Sequence, residues 1–480
     1  MRRLMLDNDG SNFFGQSMTE DIEGSIAEAV RECAPNVTTY LLCAGAGRYY
    51  FPTQVADVVI PTTTMSSYNI LIAAYARGED PFGMFLRALK AAGKETLVTF
   101  RMNDVHNPDD PSGWNTSTFR KNHPDYIVDP EGARTKTGGW MAYCMDYSRE
   151  PVQAFYLAVI REVIERYGDV IDGIQLDWMR FPRHLSGTPE EVWAKREALT
   201  GFTARVREAL DAATVASGKR LLLSARVPTT PAGCRALGMD IGEWGRRELL
   251  DMLVLCPFLT TEWHMPVGDF RALMGQAAPP IYAGFDFGFG QQTHFPESLR
   301  GICSNLCDCG ADGIYLFNFP CWIEYMAARP YHWLAGLEDP RTAATRPLLL
   351  AVDHTRHRVA GVDQVGQLPA TLEMDKPLEL TIYVPQAALP AWRGLLLVHS
   401  HGDIALAVNG QPGTALAPRR SELFAEFIPT GTGANARPAP ADCRTFAIDP
   451  AWLQPGLNRL TLTNATPGPL VIERVNLGLW

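Results

Sequence analysis

The residues best suited to chemistry in this sequence cluster in VIDGIQLDWMRFPRH, residues 170–184. Asp177 closes a short apolar run there and is followed by Trp178, Arg180, Arg183 and His184. Side chains on a strand alternate sides, so Ile174 and Leu176 share one face while Gln175 and Asp177 share the other. If helices cover the Ile174 and Leu176 face, Asp177 points toward the strand's C-terminal end, where parallel α/β folds hold their active sites. An aspartate so placed can serve as nucleophile or base. It can equally close the strand in a structural ion pair with Arg180.

Other strand-like runs end in the same kinds of residue. RRLMLDND (2–9) carries Asp7 and Asp9, and ETLVTFRMND (95–104) ends in Arg101, Asn103 and Asp104. RLLLSARVP (220–228) carries Arg226, and DMLVLCPFL (251–259) leads into Glu262, Trp263 and His264. PIYAGFDFGFG (280–290) carries Asp286, and ADGIYLFNFP (311–320) carries Asn318. Trp114, Trp140 and Trp322 lie in or beside the same loops. Carboxylates and guanidiniums can bind sugar hydroxyls, and indole faces can stack on sugar C–H faces. Glycoside cleavage needs two carboxyl groups across one bond, one protonating the leaving oxygen and the other attacking the anomeric carbon or activating water. Asp177 is the expected nucleophile or base, held ionised by Arg180 or Arg226. Glu262 is the expected proton donor, because burial among Trp263, Phe258 and Met265 would raise its pKa; Asp286 is its rival. Asp7, Asp9, Arg101, Asn103, Asp104, Trp178, Arg180, Arg226, Trp263, His264 and Asn318 are the expected substrate contacts.

The elements that must position these residues can be read from periodicity. With VTTYLLCAG (37–45) and the organising stretch, the runs above make eight strands. Most alternate with helical segments, of which EPVQAFYLAVIREVIERYG (150–168) has the clearest apolar face. Eight strands in about 340 residues fit a (β/α)8 barrel of the α/β class. No GxGxxG or GxxxxGK[ST] stands between a strand and a helix, so the nucleotide-fold signatures are missing. IDGIQLDWMRFP and ADGIYLFNFP echo one another half a barrel apart. Residues 105–147 lack a clear period and are expected to lie over the barrel's C-terminal mouth. After residue 340 the texture changes to short apolar runs such as LELTIYV and NRLTLTN, broken by Pro, Gly and Asn. The expected domains are therefore a barrel over 1–340 and an antiparallel β-sandwich over 346–480.

Composition narrows the partners. The chain has 480 residues, 43 Lys+Arg against 53 Asp+Glu, and a net charge of −10. That balance argues against nucleic acid and against an anionic membrane surface. No apolar run reaches the roughly 18 residues a membrane span requires. The ten cysteines are scattered, several within apolar runs, and are expected to be free thiols. CSNLCDC (303–309) has metal-like spacing, but its helical setting favours thiols in a core, and no cofactor or metal is expected. No signal-peptide core follows Met1, so the expected location is the cytoplasm, or outside it with a leader preceding this sequence. Two alternatives stand beside the glycosidase: a metal-dependent barrel hydrolase or isomerase using Asp7, Asp9, His106, His264 or Asp286, and a carbohydrate-binding barrel without turnover. Oligomeric state is not legible.

DGIQLDWMRFP resembles the strand-four signature of the glycoside-hydrolase barrels of the glycosyl-hydrolase-like 10 and 13 groups, D-x-I-x-[FL]-D-[YW]-x-R-[FY]-P. Asp172, Ile174, Leu176, Asp177, Trp178, Arg180, Phe181 and Pro182 carry the match. The layout is also similar to α-glycosidase barrels with an aspartate nucleophile after strand four and an acid near strand six. That likeness implies Asp177 paired with Glu262, acting on an oligo- or polysaccharide. LAVNGQP and LQPGLNRLTLTN resemble jelly-roll accessory modules of sugar-active barrels.

Overall fold

The computed structural model describes residues 2–63, 65–106, 116–286, 296–319, 330–339, 344, 347–355, 359, 361–416 and 443–480. Eight parallel strands close into a barrel in chain order: β1 Arg3–Asn8, β2 Thr39–Cys43, β3 Glu95–Arg101, β4 Gly173–Asp177, β5 Leu222–Val227, β6 Met252–Leu255, β7 Ile281–Asp286 and β8 Gly313–Phe317. β8 pairs with β1 through Arg3 to Asp7, which completes the ring.

The alternation expected for β4 holds around the whole barrel. Leu6, Val98, Ile174, Leu176, Leu223, Leu253, Ala283 and Ile314 join the large outer core beneath the helices. Met5, Leu41, Leu97, Met252, Val254, Cys256, Tyr282, Tyr315 and Phe317 form a separate cluster inside the barrel. Full burial of each Leu or Ile on the outer face contributes roughly 1.5–3 kcal/mol. A one-residue slip of β4 would sacrifice Ile174 and Leu176 together and turn Asp177 outward.

The N-terminal rim repeats one device at every second strand. Just before β2, β4, β6 and β8 stand Thr38, Asp172, Asp251 and Asp312. Each donates its backbone N–H to the preceding strand, to the carbonyls of Leu4, Thr96, Leu223 and Ile281. Each side chain accepts the backbone N–H of that same residue, at 2.8–2.9 Å. The three aspartates also each pair with a cation from a preceding helix: Lys90 at 2.6 Å, Arg207 at 2.8 Å and Arg271 at 2.5 Å. The twofold echo of DGI is thus part of a fourfold repeat. Its glycine is required by space: a Cβ on Gly173 would lie 2.3 Å from the Leu222 carbonyl oxygen, and one on Gly313 would lie 2.4 Å from that of Arg3.

The strands of the C-terminal part pair antiparallel. A five-stranded sheet runs Thr414–Leu416, Cys443–Ile448, Gly394–His399, Arg474–Leu479, Leu348–Ala351; a four-stranded sheet runs Leu378–Val384, Gly456–Asn464, Ile404–Val408, Gln411–Pro412. Ala370–Leu372 pairs with Leu470–Ile472. Eight cysteines are free thiols, seven buried and Cys309 partly so; Cys321 and the Cys443 side chain lie outside the described residues. No helix among the described residues is long and apolar enough to cross a membrane.

Candidate active site

The C-terminal ends of the strands gather an ionic layer directly above the inner apolar cluster. Asp177, at the end of β4, forms an ion pair with Arg226 of β5, Nη1 to Oδ2 at 3.2 Å, both side chains essentially fully buried. Its Oδ1 accepts the Met179 amide at 2.9 Å. Arg226 also donates to the Pro257 carbonyl at 2.7 Å and lies 3.9 Å above the Phe317 ring. The partner of Asp177 is therefore Arg226 and not Arg180.

A second ionic group lies at the ends of β1, β3 and β8. Arg101 pairs with Asp104 at 2.9 Å and with Asp9 at 3.1 Å. Asn318, in the left-handed region at φ 55°, exchanges two hydrogen bonds with Asp9, donating from Nδ2 at 2.9 Å and accepting the Asp9 amide at 3.0 Å. Ser11 donates to Asp9 as well, at 2.7 Å. Burial works upward on Asp9, but Arg101 and Ser11 outweigh it and hold the carboxyl below its usual range. Asp104 is also held well below that range: His106 and Arg101 overcome its burial.

Two carboxyls in the layer behave in the opposite way. Asp286, at the end of β7, is 1% exposed and its Oδ2 has no hydrogen-bond partner among the described residues. Burial pushes its pKa up to about 6, although Arg226 and Arg180 pull it down. Asp7 is equally buried, and its Oδ1 is unpartnered. Burial and then the charge of Asp177 push its pKa up to about 7, against a hydrogen bond from the Tyr315 hydroxyl and the pull of Arg226 and Arg101. Tyr315 also reaches Gln175 Oε1 at 3.0 Å, which Thr99 approaches at 3.3 Å. Tyr315, Phe317 and Gln175 were not singled out from the sequence. The alternation of IYLF in β8 and of GIQLD in β4 is the signal that could have found them.

The segment after β3 lies against this end of the barrel. Asn103 holds it in place, donating to the carbonyls of Met145 and Arg183 at 3.0 and 2.9 Å and accepting the Met145 amide at 2.7 Å. Its side chain is thus committed to loops and not open to a substrate. Trp140, 49% exposed, sits 6.0 Å from His106 and 5.8 Å from Phe181, ring to ring. It is an aromatic face at the rim. Trp114 and Trp322 lie outside the described residues.

Three further expectations are corrected. Trp178 is fully buried and packs edge-on to Tyr147, His184 and Phe202, so its face is unavailable to a sugar. Trp263 and His264 face the β-sandwich: the Trp263 amide donates to Asp353 at 2.9 Å, and His264 stacks on Tyr383 at 5.8 Å with the planes 6° apart. Glu262 belongs to the same seam. Its two oxygens accept the Gln364 amide at 3.1 Å and Gln364 Nε2 at 2.7 Å. Gln364 thus occupies both oxygens of Glu262, which ties the expected proton donor into the seam with the β-sandwich. Alternation along a strand could not reveal this, because the partner lies about a hundred residues further along.

No family model and no curated protein matches the chain. Solved structures similar to it include glycoside hydrolases. One is the PgaB (BpsB) glycoside hydrolase domain from Bordetella bronchiseptica, at 12% identity over 70% of this chain and 99% of that one, TM-score 0.43. Another is the glycoside hydrolase family 18 N-acetylglucosaminidase from Paenibacillus barengoltzii, at 12% over 70% and 99%, TM-score 0.38. Chitinase ChiA74 from Bacillus thuringiensis is similar at 9% over 99% and 100%, TM-score 0.39. The barrel itself rests on the strand pairing described above, not on these likenesses.

Proposed function

We propose that the protein is a glycoside hydrolase in which Asp177 is the nucleophile or base and Asp286 the proton donor. The observation that carries this is the contrast between two carboxyls in one buried layer. Asp177 is paired with a guanidinium, whereas Asp286 has a free oxygen and a pKa pushed up to about 6. A buried carboxyl whose pKa is raised can supply the proton, and one fixed by a guanidinium can serve as nucleophile or base. In cleavage, Asp286 gives its proton to the leaving oxygen as the glycosidic bond breaks. Asp177 then attacks the anomeric carbon, or takes a proton from the water that does. Arg226, bonded to the Pro257 carbonyl and resting on Phe317, holds Asp177 in position. Asp7 is a second candidate for the acid, since its free Oδ1 and raised pKa place it in the same class as Asp286.

A hydrolysis screen over polysaccharides and aryl glycosides, read by product analysis, tests the class. On the best substrate, Asp286→Asn should slow poor leaving groups far more than activated aryl groups, which need little proton donation. If Asp7→Asn shows that selectivity instead, the acid is Asp7. An Asp177→Asn enzyme that keeps near-full activity would sink the assignment.

A further inference from the structure

Three guanidiniums surround the Phe317 ring, with Arg226 at 3.9 Å, Arg180 at 5.4 Å and Arg101 at 5.8 Å. Two are matched by carboxylates: Arg226 by Asp177, and Arg101 by Asp9 and Asp104. Arg180 is not. It is 5% exposed, and among the described residues no carboxylate forms an ion pair with it. Among the described residues its side chain has one hydrogen bond, from Nη2 to His106 Nε2 at 3.3 Å. An arginine nitrogen only donates, so the imidazole accepts there and directs Nδ1–H to Asp104. Arg180 Nε and Nη1 are buried and have no partner among the described residues. Burial and then the like charge of Arg101 lower the guanidinium's pKa, so its surroundings as a whole disfavour the cation.

Asp104 and Asp286 attract the guanidinium without bonding to it, and buried donors left without acceptors cost about 1–3 kcal/mol each. Arg180 is not loose. Its carbonyl accepts the Asn103 amide at 2.9 Å, and its guanidinium lies over Phe181 at 5.1 Å and Phe258 at 5.5 Å. It stands three residues beyond Asp177, and Phe181 links it to the half-exposed Trp140 at the rim. The missing anion would therefore arrive with the sugar.

We propose that the site takes an anionic sugar, a hexuronic acid or a sulfate ester, whose charged oxygens bond to Nε and Nη1 of Arg180. The proposal rests on reading this mouth as the glycosidase site. Guanidinium suits either anion, because its donors are fixed in a plane and its charge is permanent.

The test is binding to the full chain, by calorimetry or saturation-transfer NMR, of D-glucuronate, D-glucose 6-sulfate and D-glucose. At least one anion should bind about 30-fold or more tightly than glucose. Arg180→Met should bring that anion to the level of glucose, and Arg180→Lys should fall between. The preferred anion distinguishes carboxylate from sulfate. Arg180→Met should melt at or above the wild type, because it removes buried donors that lack acceptors. Glucose binding as tightly as both anions, or Arg180→Met retaining wild-type anion affinity, overturns the proposal. Anion binding that depends on Arg180 in a protein that cleaves no glycoside would keep this inference and sink the enzymatic one. Equal kcat/KM on neutral and acidic glycosides would do the reverse.

Discussion

The two ends of the barrel use the same residue type to opposite ends. At the N-terminal rim, Asp172, Asp251 and Asp312 are each partnered: one oxygen takes a backbone N–H of the neighbouring strand, and a Lys or Arg from a helix pairs with each. At the C-terminal mouth, Asp7 and Asp286 each keep one buried oxygen, and Arg180 two nitrogens, that find no partner among the described residues. Buried polar groups are normally satisfied within the fold, so the rim follows the rule and the mouth departs from it. The aspartates at the rim stabilise strand pairing, whereas those at the mouth are maintained at a cost to stability. That asymmetry is expected where conservation of the fold and conservation of chemistry fall on different faces of a barrel.

The largest effect expected from this contrast is on turnover. Asp177→Asn should lower kcat by on the order of 10⁴-fold while leaving sugar binding largely intact, because transition-state stabilisation is lost and ground-state contacts remain. Steady-state kinetics with binding measured in parallel checks it; a loss of binding equal to the loss of kcat would break the contrast. Next is stability at the rim. Asp251→Ala leaves the Leu223 amide without its partner and takes from Arg207 one of its two carboxylates, the other being Asp211, and should cost about 2 kcal/mol, with kcat of the folded fraction unchanged. A thermal melt unchanged from the wild type would mean that the clamp is ornamental.

The mouth should respond to pH with the opposite sign to a salt-bridged carboxylate. Asp286 has its folded pKa raised from 3.8 to about 6 and Asp7 to about 7. Their contribution to stability is fully present below about pH 4 and is lost as pH rises through 6 and 7. Asp286→Asn and Asp7→Asn should therefore stabilise the protein at pH 8, each by on the order of 1–3 kcal/mol, and have little effect at pH 4. Melting curves at the two pH values decide this, and equal shifts at both would remove the burial argument. If Asp286 is the acid, activity should also fall above about pH 6 in kcat/KM profiles. The smallest effect concerns the seam. Glu262→Gln should change kcat by less than about threefold on good and poor leaving groups alike and lower stability by about 1 kcal/mol, by weakening the two bonds from Gln364. A selective loss on poor leaving groups would return the donor role to Glu262.

The sequence by itself determined the strands, their sidedness and the identity of the ionic layer. Period-two alternation in GIQLD, ETLVTFR and IYLF is a local property, and burial of one face leaves only one register open. Asp177, Arg101, Arg226 and Asp286 were legible for that reason, as were the change to antiparallel sheets and the helix over 150–168. Only the tertiary structure decided who is paired with whom. Arg180 and Arg226 are alike in sequence, yet Arg226 comes from the adjacent strand at the register of Asp177, whereas Arg180 lies beyond the strand end with only an imidazole to bond. Glu262 has the composition of a catalytic acid, and Gln364 of the second domain claims both of its oxygens. Trp178 looked like a platform and is core, because the chain turns after Asp177 and drives the indole against Tyr147 and Phe202. Hydrogen bonds and desolvation depend on neighbours brought together from distant parts of the chain, and neither leaves a trace in local periodicity.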